Sequence, residues 1–212
     1  MSEDLSYYCR VYDNFLTHEE CDAFIENYET TIKEKARAGE TQSMCTLPSG
    51  ESICPQCNCY RLMTFQHDRF DYLNKLVMPK FTNLAKQYKS DCVQSYMWPK
   101  KYGWEKFRMK RYRVAKEEQF KNHVDVTSHA VAKRFLVFTC YLNDNFGDGH
   151  TTFPVFGKSI KPKKGSVLVF PPLWTFLHRA DKPTSGYAKY ILMTYLNYID
   201  IVDVDGLEAR ER

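Results

Sequence analysis

The chain has 212 residues, of which 43% are hydrophobic and 15% aromatic, a composition typical of a globular protein and not of a disordered one. This length is enough for one domain with a full hydrophobic core. The formal net charge of +4 is mild, so it permits nucleic acid as a partner without demanding it. No apolar run reaches the roughly 18 residues of a membrane span. The polar start MSEDLSYYCR lacks the features of a signal peptide, so we expect a cytoplasmic protein with no membrane association.

Two helices are predicted in the first part of the chain, after a short strand at residues 7–12. Thr17 is the expected N-cap of the first helix, with Glu20 three residues later completing a capping box. An apolar stripe at helical spacing follows, formed by Cys21, Phe24, Ile25 and Tyr28. The second helix covers residues 70–88, and Pro79 is expected to bend it or to split it in two. Its apolar side is formed by Phe70, Leu73, Leu76 and Val77.

From about residue 92 the sequence changes to short strands separated by turns, with turn signals in NDNFGDG, KPKKG and KPTSG. Many short strands after a helical start predict helices packed on an antiparallel sandwich or barrel. We expect one domain over residues 1–212. Its helices and a cysteine-rich loop occupy about residues 1–90, and a β-barrel core occupies about residues 91–200. The predicted strands cover residues 93–98, 107–115, 120–126, 134–142, 151–156, 159–161, 166–170, 174–179 and 188–199.

The segment His123-Val124-Asp125 indicates a metal site. Two residues apart on an extended segment, His123 and Asp125 point to the same face, so a histidine nitrogen and a carboxylate oxygen can bind one ion from one side. His178 lies far along the chain, after the apolar run SVLVFPPLW, and would complete a set of two histidines and one carboxylate. That set leaves open positions on the metal and suits non-haem Fe(II) and oxygen chemistry. His150, which follows a glycine-rich turn, is the alternative to His178.

An anion site is predicted on the last strand. In KYILMTYL, Lys189 shares a face with Ile191, Met193 and Tyr195. An ammonium on a buried face needs a partner, and the carboxylate of a bound ligand would supply one. The other interpretation is an edge-strand lysine in water. Tyr141 and Tyr112 on neighbouring strands can each offer a phenolic donor, although either can equally be a core residue.

Two further patterns have open interpretations. The first is the cysteine loop with Cys45, Cys54, Cys57 and Cys59. In a cytoplasmic protein these are thiols or metal ligands, and CPQC has the spacing of a zinc knuckle. The loop is therefore either a structural zinc site or a mobile cysteine-rich loop that can serve as a lid over the active site. The second is residues 100–116, where eight Lys or Arg are interleaved with aromatic residues. Such a run can contact nucleic acid; we favour the solvated face of strands.

The chain resembles the Fe(II)/2-oxoglutarate-dependent dioxygenases, and among them the prolyl 4-hydroxylase-like branch. The matching segments follow each other in the same order and with similar spacing, and they span most of the chain outside about residues 37–65. They are VYDNFLTHEECDAFIE, KRYRVAKEEQFKNHVD, FTCYLNDNFGDGHTTFP, KPKKGSVLVFPP and LHRADKPTSGYAKYILMTYL. The combination is specific, although no single segment is.

The resemblance implies a double-stranded β-helix, or jelly roll, with flanking helices. It implies Fe(II) held by His123, Asp125 and His178. It also implies that Lys189 pairs with the distal carboxylate of 2-oxoglutarate with help from Tyr112 and Tyr141, and it admits ascorbate as a further cofactor. The implied reaction uses O2 and hydroxylates a peptidyl residue, with proline as the expected one, while 2-oxoglutarate is decarboxylated to succinate. The alternatives are a nucleic-acid demethylase or base hydroxylase with the same iron chemistry, and a non-catalytic β-barrel that binds a partner.

Overall fold

The computed structural model of the protein describes residues 5–38, 59–92 and 96–199. Within these ranges it contains two long helices, α1 (His18–Arg37) and α2 (Asp71–Asp91), and thirteen short strands. The strands are β1 (Arg10–Tyr12), β2 (Tyr60–Met63), β3 (Tyr102–Trp104), β4 (Arg108–Tyr112), β5 (Phe120–His123), β6 (Arg134–Tyr141), β7 (Phe146–Asp148), β8 (Thr151–Phe153), β9 (Lys158–Ile160), β10 (Val167–Phe170), β11 (His178–Ala180), β12 (Pro183–Gly186) and β13 (Lys189–Tyr198).

The strands form a major and a minor antiparallel sheet. The major sheet has the order β1-β10-β6-β13-β4-β2, and β3 pairs with the far end of β13. The minor sheet has the order β5-β11-β8-β9, and β7 pairs with β12 separately. The order of strands in both sheets differs from their order in the chain, as in a jelly roll. The predicted fold, a double-stranded β-helix packed against N-terminal helices, is confirmed.

Helix α1 begins as its sequence predicts. The Thr17 hydroxyl accepts a hydrogen bond from the Glu20 amide at 3.2 Å, and the Thr17 amide donates to the Glu20 carboxylate at 2.8 Å. This reciprocal capping box satisfies two amides that the first turn leaves without helical partners. The stripe faces the core, with Cys21, Phe24 and Tyr28 fully buried. Neither helix of the described ranges combines the length and the apolarity that crossing a membrane requires.

Helix α2 differs from its prediction in two respects. It continues from Asp71 to Asp91 through Pro79, so the proline does not split it in two. The face that continues past the proline, with Val77, Phe81 and Leu84, is buried against the sheet, and this packing holds the helix together. Leu76, expected on the apolar side, is 38% exposed. It follows the buried Leu73 by three residues and lies at the edge of the stripe.

The strands differ from their predictions in both directions. Residues 96–98 were predicted as part of a strand and form none, and of the predicted strand 174–179 only the end is a strand. Strands β7 and β12 lie in segments predicted as turns, and they pair with each other through Phe146 and Gly186 and through Asp148 and Pro183. Such pairing joins segments more than 30 residues apart, so the local composition of either one does not reveal it.

Candidate functional site

A cavity lies between the two sheets. Its volume is about 30 Å³, and it opens to solvent. The inward residues of β4, β6 and β13 form one wall, and the minor sheet forms the other. Its lining combines polar and apolar side chains: Lys110, Tyr112, Phe120, His123, Asp125, Thr139, Thr151, Phe170, His178, Ala180, Lys189, Ile191 and Met193. The cavity therefore contains all three predicted metal ligands together with the predicted anion-binding lysine.

The minor sheet brings the two histidines together. His123 ends β5 and His178 begins β11, and they are directly paired across the antiparallel ladder. Their rings lie 4.3 Å apart between centroids. Asp125 follows two residues after His123, and its carboxylate oxygens lie 3.7 Å from His123 Nε2 and 3.8 Å from His178 Nε2. One potential ligand atom from each residue lies within 4.8 Å of the others, the arrangement that a single ion requires.

Backbone carbonyls orient both imidazole rings. His123 Nδ1 lies 2.7 Å from the Lys121 carbonyl oxygen, and His178 Nδ1 lies 3.0 Å from that of Phe176. Since a carbonyl only accepts, Nδ1 must carry the proton in each ring. The Nε2 atoms are then left with their lone pairs directed toward Asp125. Hydrogen bonding of the second nitrogen to a carbonyl is how metal-binding histidines are commonly held.

Burial sets the protonation of the three groups. It lowers the pKa of His123 to about 3, and the facing His178 acts in the same direction. Burial likewise lowers the pKa of His178. Burial alone would raise the pKa of Asp125, but His178, His123 and the cations Lys110 and Arg134 outweigh it and lower that pKa. At neutral pH the cluster is therefore two neutral imidazoles and one carboxylate, the forms that bind a divalent metal.

The cluster fits a metal by a second criterion. Asp125 Oδ2 is buried, and among the described residues it has no hydrogen-bond donor. A buried carboxylate oxygen without a donor is costly. A cation bound between Asp125 and the two Nε2 atoms would offset that cost. Two imidazoles and a carboxylate, with the rest of the coordination sphere open, are the donor set of non-haem Fe(II) oxygenases.

The backbone of Asp125 is also fixed by a hydrogen bond. Its backbone carbonyl accepts a hydrogen bond of 3.2 Å from Arg134. The Arg134 guanidinium is in turn bound by both carboxylate oxygens of Glu105, at 2.6 and 3.0 Å. Arg108, at the start of β4, contacts the same carboxylate. This network, which the sequence did not suggest, restrains the loop after β5 and keeps Asp125 facing the histidines.

Lys189 is buried on the opposite wall, with 1% of its surface exposed. Its ammonium donates a hydrogen bond of 2.6 Å to the Gly149 carbonyl. Gly149 has a φ of +67°, a conformation that glycine adopts without strain. Burial lowers the pKa of Lys189 to about 7. A single carbonyl leaves two of the three ammonium donors for a ligand.

The two predicted tyrosines flank this lysine. The Lys189 ammonium lies 5.3 Å from the ring centroid of Tyr112 and 5.7 Å from that of Tyr141. Tyr112 pairs directly with Lys189 across β4 and β13. The Tyr141 hydroxyl donates to Thr151 of β8 at 2.8 Å, so this hydrogen bond joins the two walls of the cavity. All three predicted anion-site residues are therefore brought together.

The remaining candidates lie apart from the metal cluster. His150 does not belong to the group of metal-ligand atoms found in the described ranges. Its backbone carbonyl accepts a hydrogen bond from Asp181 in the turn that follows β11. Cys45, Cys54 and Cys57 lie outside the described residues. Cys59 is a buried thiol in the same apolar cluster as Tyr112 and Tyr141.

The prediction that the basic run at residues 100–116 forms a solvated face is wrong at the centre of the run. Strand β4 lies there and is buried along its whole length. Arg108 and Arg111 are bound by Glu105 and Glu29, and neither is available to a polyanion. Lys110 lines the cavity instead. Alternation along KRYRV would have revealed this, since Lys110 must share a face with Tyr112.

Comparison with known families agrees with this site. Residues 107–197 match the model of the 2OG-Fe(II) oxygenase superfamily, and all six predicted site residues of the β-rich half lie within them. This match confirms the resemblance seen in the sequence and the predicted class of enzyme, a dioxygenase. The matched family implies Fe(II) and 2-oxoglutarate as metal and co-substrate.

The individual proteins that match this chain carry the name of prolyl hydroxylase. The chain is 51% identical over 41 residues to a protein of Acanthamoeba polyphaga mimivirus named "Putative prolyl 4-hydroxylase"; the match spans 19% of this chain and 17% of that protein. The viral collagen prolyl hydroxylase of Paramecium bursaria Chlorella virus-1, solved with 2-oxoglutarate, has a TM-score of 0.62 and 22% identity, over 91% of this chain and 97% of that one. A Trichoplax adhaerens prolyl hydroxylase, solved with a peptide fragment of hypoxia-inducible factor, has a TM-score of 0.63 and 14% identity, over 91% and 84%. These solved structures share the fold.

Proposed function

We propose that this protein is an Fe(II)- and 2-oxoglutarate-dependent hydroxylase of a peptidyl residue, with proline as the expected target. In this proposal residues 1–212 act as a single catalytic domain. His123, Asp125 and His178 hold the iron, and Lys189 binds the distal carboxylate of 2-oxoglutarate beside Tyr112 and Tyr141. The observation that carries the proposal is one cavity that holds both a three-residue metal-ligand cluster and a buried ammonium.

The chemistry of bound iron is to couple the reduction of O2 to the decarboxylation of 2-oxoglutarate, yielding succinate, CO2 and a hydroxylated substrate. The protein's own residues bind, orient and exclude water. The carbonyls of Lys121 and Phe176 fix the histidine tautomers, and Arg134 restrains Asp125. Lys189 aligns the co-substrate through a charge-assisted hydrogen bond. Phe170, Ile191 and Met193 keep the walls of the cavity apolar and reduce access of water.

A peptide is the favoured substrate for two reasons. The relatives named above are prolyl hydroxylases, and one of them was solved with a bound peptide. In addition, large apolar residues are exposed close in sequence to the site: Trp174 is 80% exposed four residues before His178, and Tyr187 is 70% exposed two residues before Lys189. Large aromatic side chains are enriched where one protein chain docks on another, so we expect these two to contact the peptide.

The cysteine loop and ascorbate belong to the proposal as secondary points. We propose that the cysteines contribute nothing to iron binding, since the cluster in the cavity already holds a complete ligand set. A structural zinc in the loop and a requirement for ascorbate stay predictions. Metal analysis of protein purified without chelators tests the first, and turnover assays with and without ascorbate test the second.

An anaerobic titration tests the iron proposal directly. Adding Fe(II) and then 2-oxoglutarate to the purified protein should produce a visible charge-transfer band, because the band requires iron and co-substrate bound together. The Asp125→Ala variant should not produce it, whereas the matched variant His150→Ala should. A band that depends on His150 and not on His178 would reassign the distal ligand. No band in the wild-type protein would refute the function.

The substrate is tested by succinate release over three pools: proline-rich peptides, single-stranded DNA and free amino acids. Of the three pools, only the peptides should raise succinate release above the uncoupled rate. The mass spectrum of the peptide should then show a gain of one oxygen atom at proline. Release with DNA would establish the alternative, a nucleic-acid demethylase or base hydroxylase. Normal iron and 2-oxoglutarate binding without any coupled substrate in the three pools would contradict the assignment to proline.

A further inference from the structure

Lys110 is a buried lysine in the cavity to which the sequence analysis assigned no role. It lies in the middle of β4 with 7% of its surface exposed, and it lines the same cavity as His123, Asp125, His178 and Lys189. Its ammonium lies over the ring of Phe120, 4.4 Å from the centroid. A lysine at such a position is unusual, since lysines are seldom buried unless they are paired.

No hydrogen bond or ion pair of Lys110 is found within the parts of the chain that the structure describes. The other cations of this strand and its end differ. Arg108 is bound by Glu105, Arg111 by Glu29 and Arg113 by Glu118. The fold thus supplies a carboxylate to each arginine and only an aromatic face to Lys110. Because an ammonium buried without an anion is costly, the missing partner is expected to be a ligand of the cavity.

The register of β4 and β13 relates Lys110 to Lys189. Lys189 is paired with Tyr112, and Lys110 is paired with Ile191, so the two lysines are diagonal neighbours on one face. Diagonal neighbours in an antiparallel pair lie about 7–8 Å apart. The carboxyl carbons of 2-oxoglutarate are separated by about 5 Å, as four carbon–carbon bonds of ordinary length dictate. Two ammonium groups at the ends of long side chains can therefore pair with both ends of this dicarboxylate.

Contacts of Phe120 place Lys110 beside the metal cluster. The Lys110 ammonium lies over the Phe120 ring, and the same ring stacks on that of His123, at 3.3 Å between ring centroids. His123, Asp125, His178 and Lys189 line the same cavity. Lys110 therefore lies on the metal side of the cavity, as expected for a cation beside the end of the co-substrate nearest the metal.

We propose that Lys110 pairs with the 1-carboxylate of 2-oxoglutarate while Lys189 holds the distal carboxylate. The inference rests on the proposed function and adds a second co-substrate anchor to it. Lys110 would neutralise that carboxylate, and the Phe120 ring against its ammonium would hold the charge in position. An acidic group of the peptide substrate is the competing occupant.

The test uses calorimetry on the full chain loaded with Mn(II), under anaerobic conditions, with two ligands. One is 2-oxoglutarate, and the other is 2-oxopentanoate, which lacks the distal carboxylate. Lys110→Met should weaken both ligands, by about tenfold to hundredfold, because a hydrogen bond between charged groups is lost in each. Lys189→Met should weaken 2-oxoglutarate and leave 2-oxopentanoate unchanged. Lys110→Arg should recover part of the affinity for both.

Lys106→Met is the matched control. Lys106 is exposed, and its ammonium lies 4.1 Å from the centroid of the Phe65 ring, so this variant removes a similar lysine–aromatic contact outside the cavity. It should change neither ligand affinity. Melting temperature and Mn(II) affinity should not fall in Lys110→Met, because methionine fills a similar volume and removes an unpaired cation. These two measurements separate loss of the anchor from loss of the fold.

Two results would overturn the inference, and they differ from failure of the proposed function. Unchanged affinity of Lys110→Met for both ligands, with wild-type protein binding them normally, removes Lys110 from the co-substrate site. If that variant instead raises the KM for a peptide alone, Lys110 faces the substrate. Wild-type protein that binds neither Mn(II) nor 2-oxoglutarate contradicts the proposed function itself, and the lysine proposal fails with it.

Discussion

The two faces of the major sheet are equally buried but chemically opposite. On the outer face Met109, Phe138, Leu192 and Leu196 pack against the helices in one apolar cluster. On the inner face the same strands present Lys110, Tyr112, Thr139 and Lys189 to the cavity. The outer face gains free energy of folding from burial. The inner face loses some, because the burial of its ammonium and hydroxyl groups removes them from water.

This difference indicates where selection for stability ends and selection for a ligand begins. A sheet that needed only to fold would carry apolar residues on both faces. Polar residues kept at buried positions, such as Lys189 with its lowered pKa, are unfavourable until an anion binds. We therefore expect substitutions that disturb the outer face to change the free energy of unfolding, and substitutions on the inner face to change the affinity for ligands.

The largest expected effect comes from the metal cluster. Asp125→Ala should abolish turnover of 2-oxoglutarate and lower iron affinity by more than about 100-fold, since even changes beyond the ligands themselves cost 10–100-fold. The variant should stay folded, because the carboxylate makes no stabilising hydrogen bond through Oδ2. Iron titration and succinate release measure the loss. His150→Ala should retain both, and near-normal turnover of Asp125→Ala would exclude it as a ligand.

A change in the helix side chains that pack against the outer face should act on stability alone. The Phe81 ring contacts those of Phe15, Phe107 and Phe138 at centroid distances of 4.7, 5.0 and 6.0 Å. Phe81→Ala should lower the free energy of unfolding by about 3–5 kcal/mol, measured by urea denaturation. The folded fraction should bind 2-oxoglutarate normally.

Tyr72→Ala, on the same helix but 73% exposed, is the control and should change that free energy by no more than about 0.5 kcal/mol. If Phe81→Ala instead weakened 2-oxoglutarate binding in fully folded protein, the two faces would not be independent.

Lys189→Met should separate binding from stability most clearly. Loss of a charge-assisted hydrogen bond should weaken 2-oxoglutarate by about tenfold to hundredfold, with iron affinity little changed. The unliganded protein should become more stable by about 1–3 kcal/mol, because an ammonium with one carbonyl partner is replaced by an apolar group. Lys189→Arg should recover part of the binding. An unchanged 2-oxoglutarate KM in Lys189→Met would place the anion partner elsewhere.

The lowered pKa of Lys189 predicts a pH dependence. Without an anion this pKa is about 7, so above that pH the amine is neutral and must take up a proton to pair with a carboxylate. Affinity for 2-oxoglutarate should therefore fall as pH rises through 7, by up to about tenfold per pH unit. Calorimetry in buffers with different heats of ionisation should show proton uptake. Lys189→Arg, which stays charged, should bind independently of pH; proton uptake in that variant would assign the titration to another group.

The smallest effect is expected from the cysteine loop. Cys54→Ser combined with Cys57→Ser should leave iron affinity and uncoupled decarboxylation unchanged, because the cavity already holds a complete ligand set. If the loop binds zinc, metal analysis should find roughly one zinc per wild-type chain and none in this variant. Loss of iron from the double variant would show that the two sites are not separate.

The sequence by itself determined the parts that depend on local spacing. The capping box at Thr17, the alternation that sets Lys189 beside Ile191 and Met193, and the pair His123 and Asp125 follow from periods of 3.6 or 2 residues. The resemblance to the dioxygenases depends instead on the order and spacing of five segments along the chain. Pro79 and Leu76 were exceptions, because packing against the sheet and the limits of the buried stripe are not local properties.

Only the tertiary structure decided which distant residues meet. The ladder of β5 and β11 sets His178, and not His150, opposite His123. The diagonal of β4 and β13 sets Lys110 beside Lys189, and the fold buries a basic strand that composition suggested was solvated. The physical reason is that strand pairing and burial depend on contacts between segments far apart in the chain, which composition and local period do not contain.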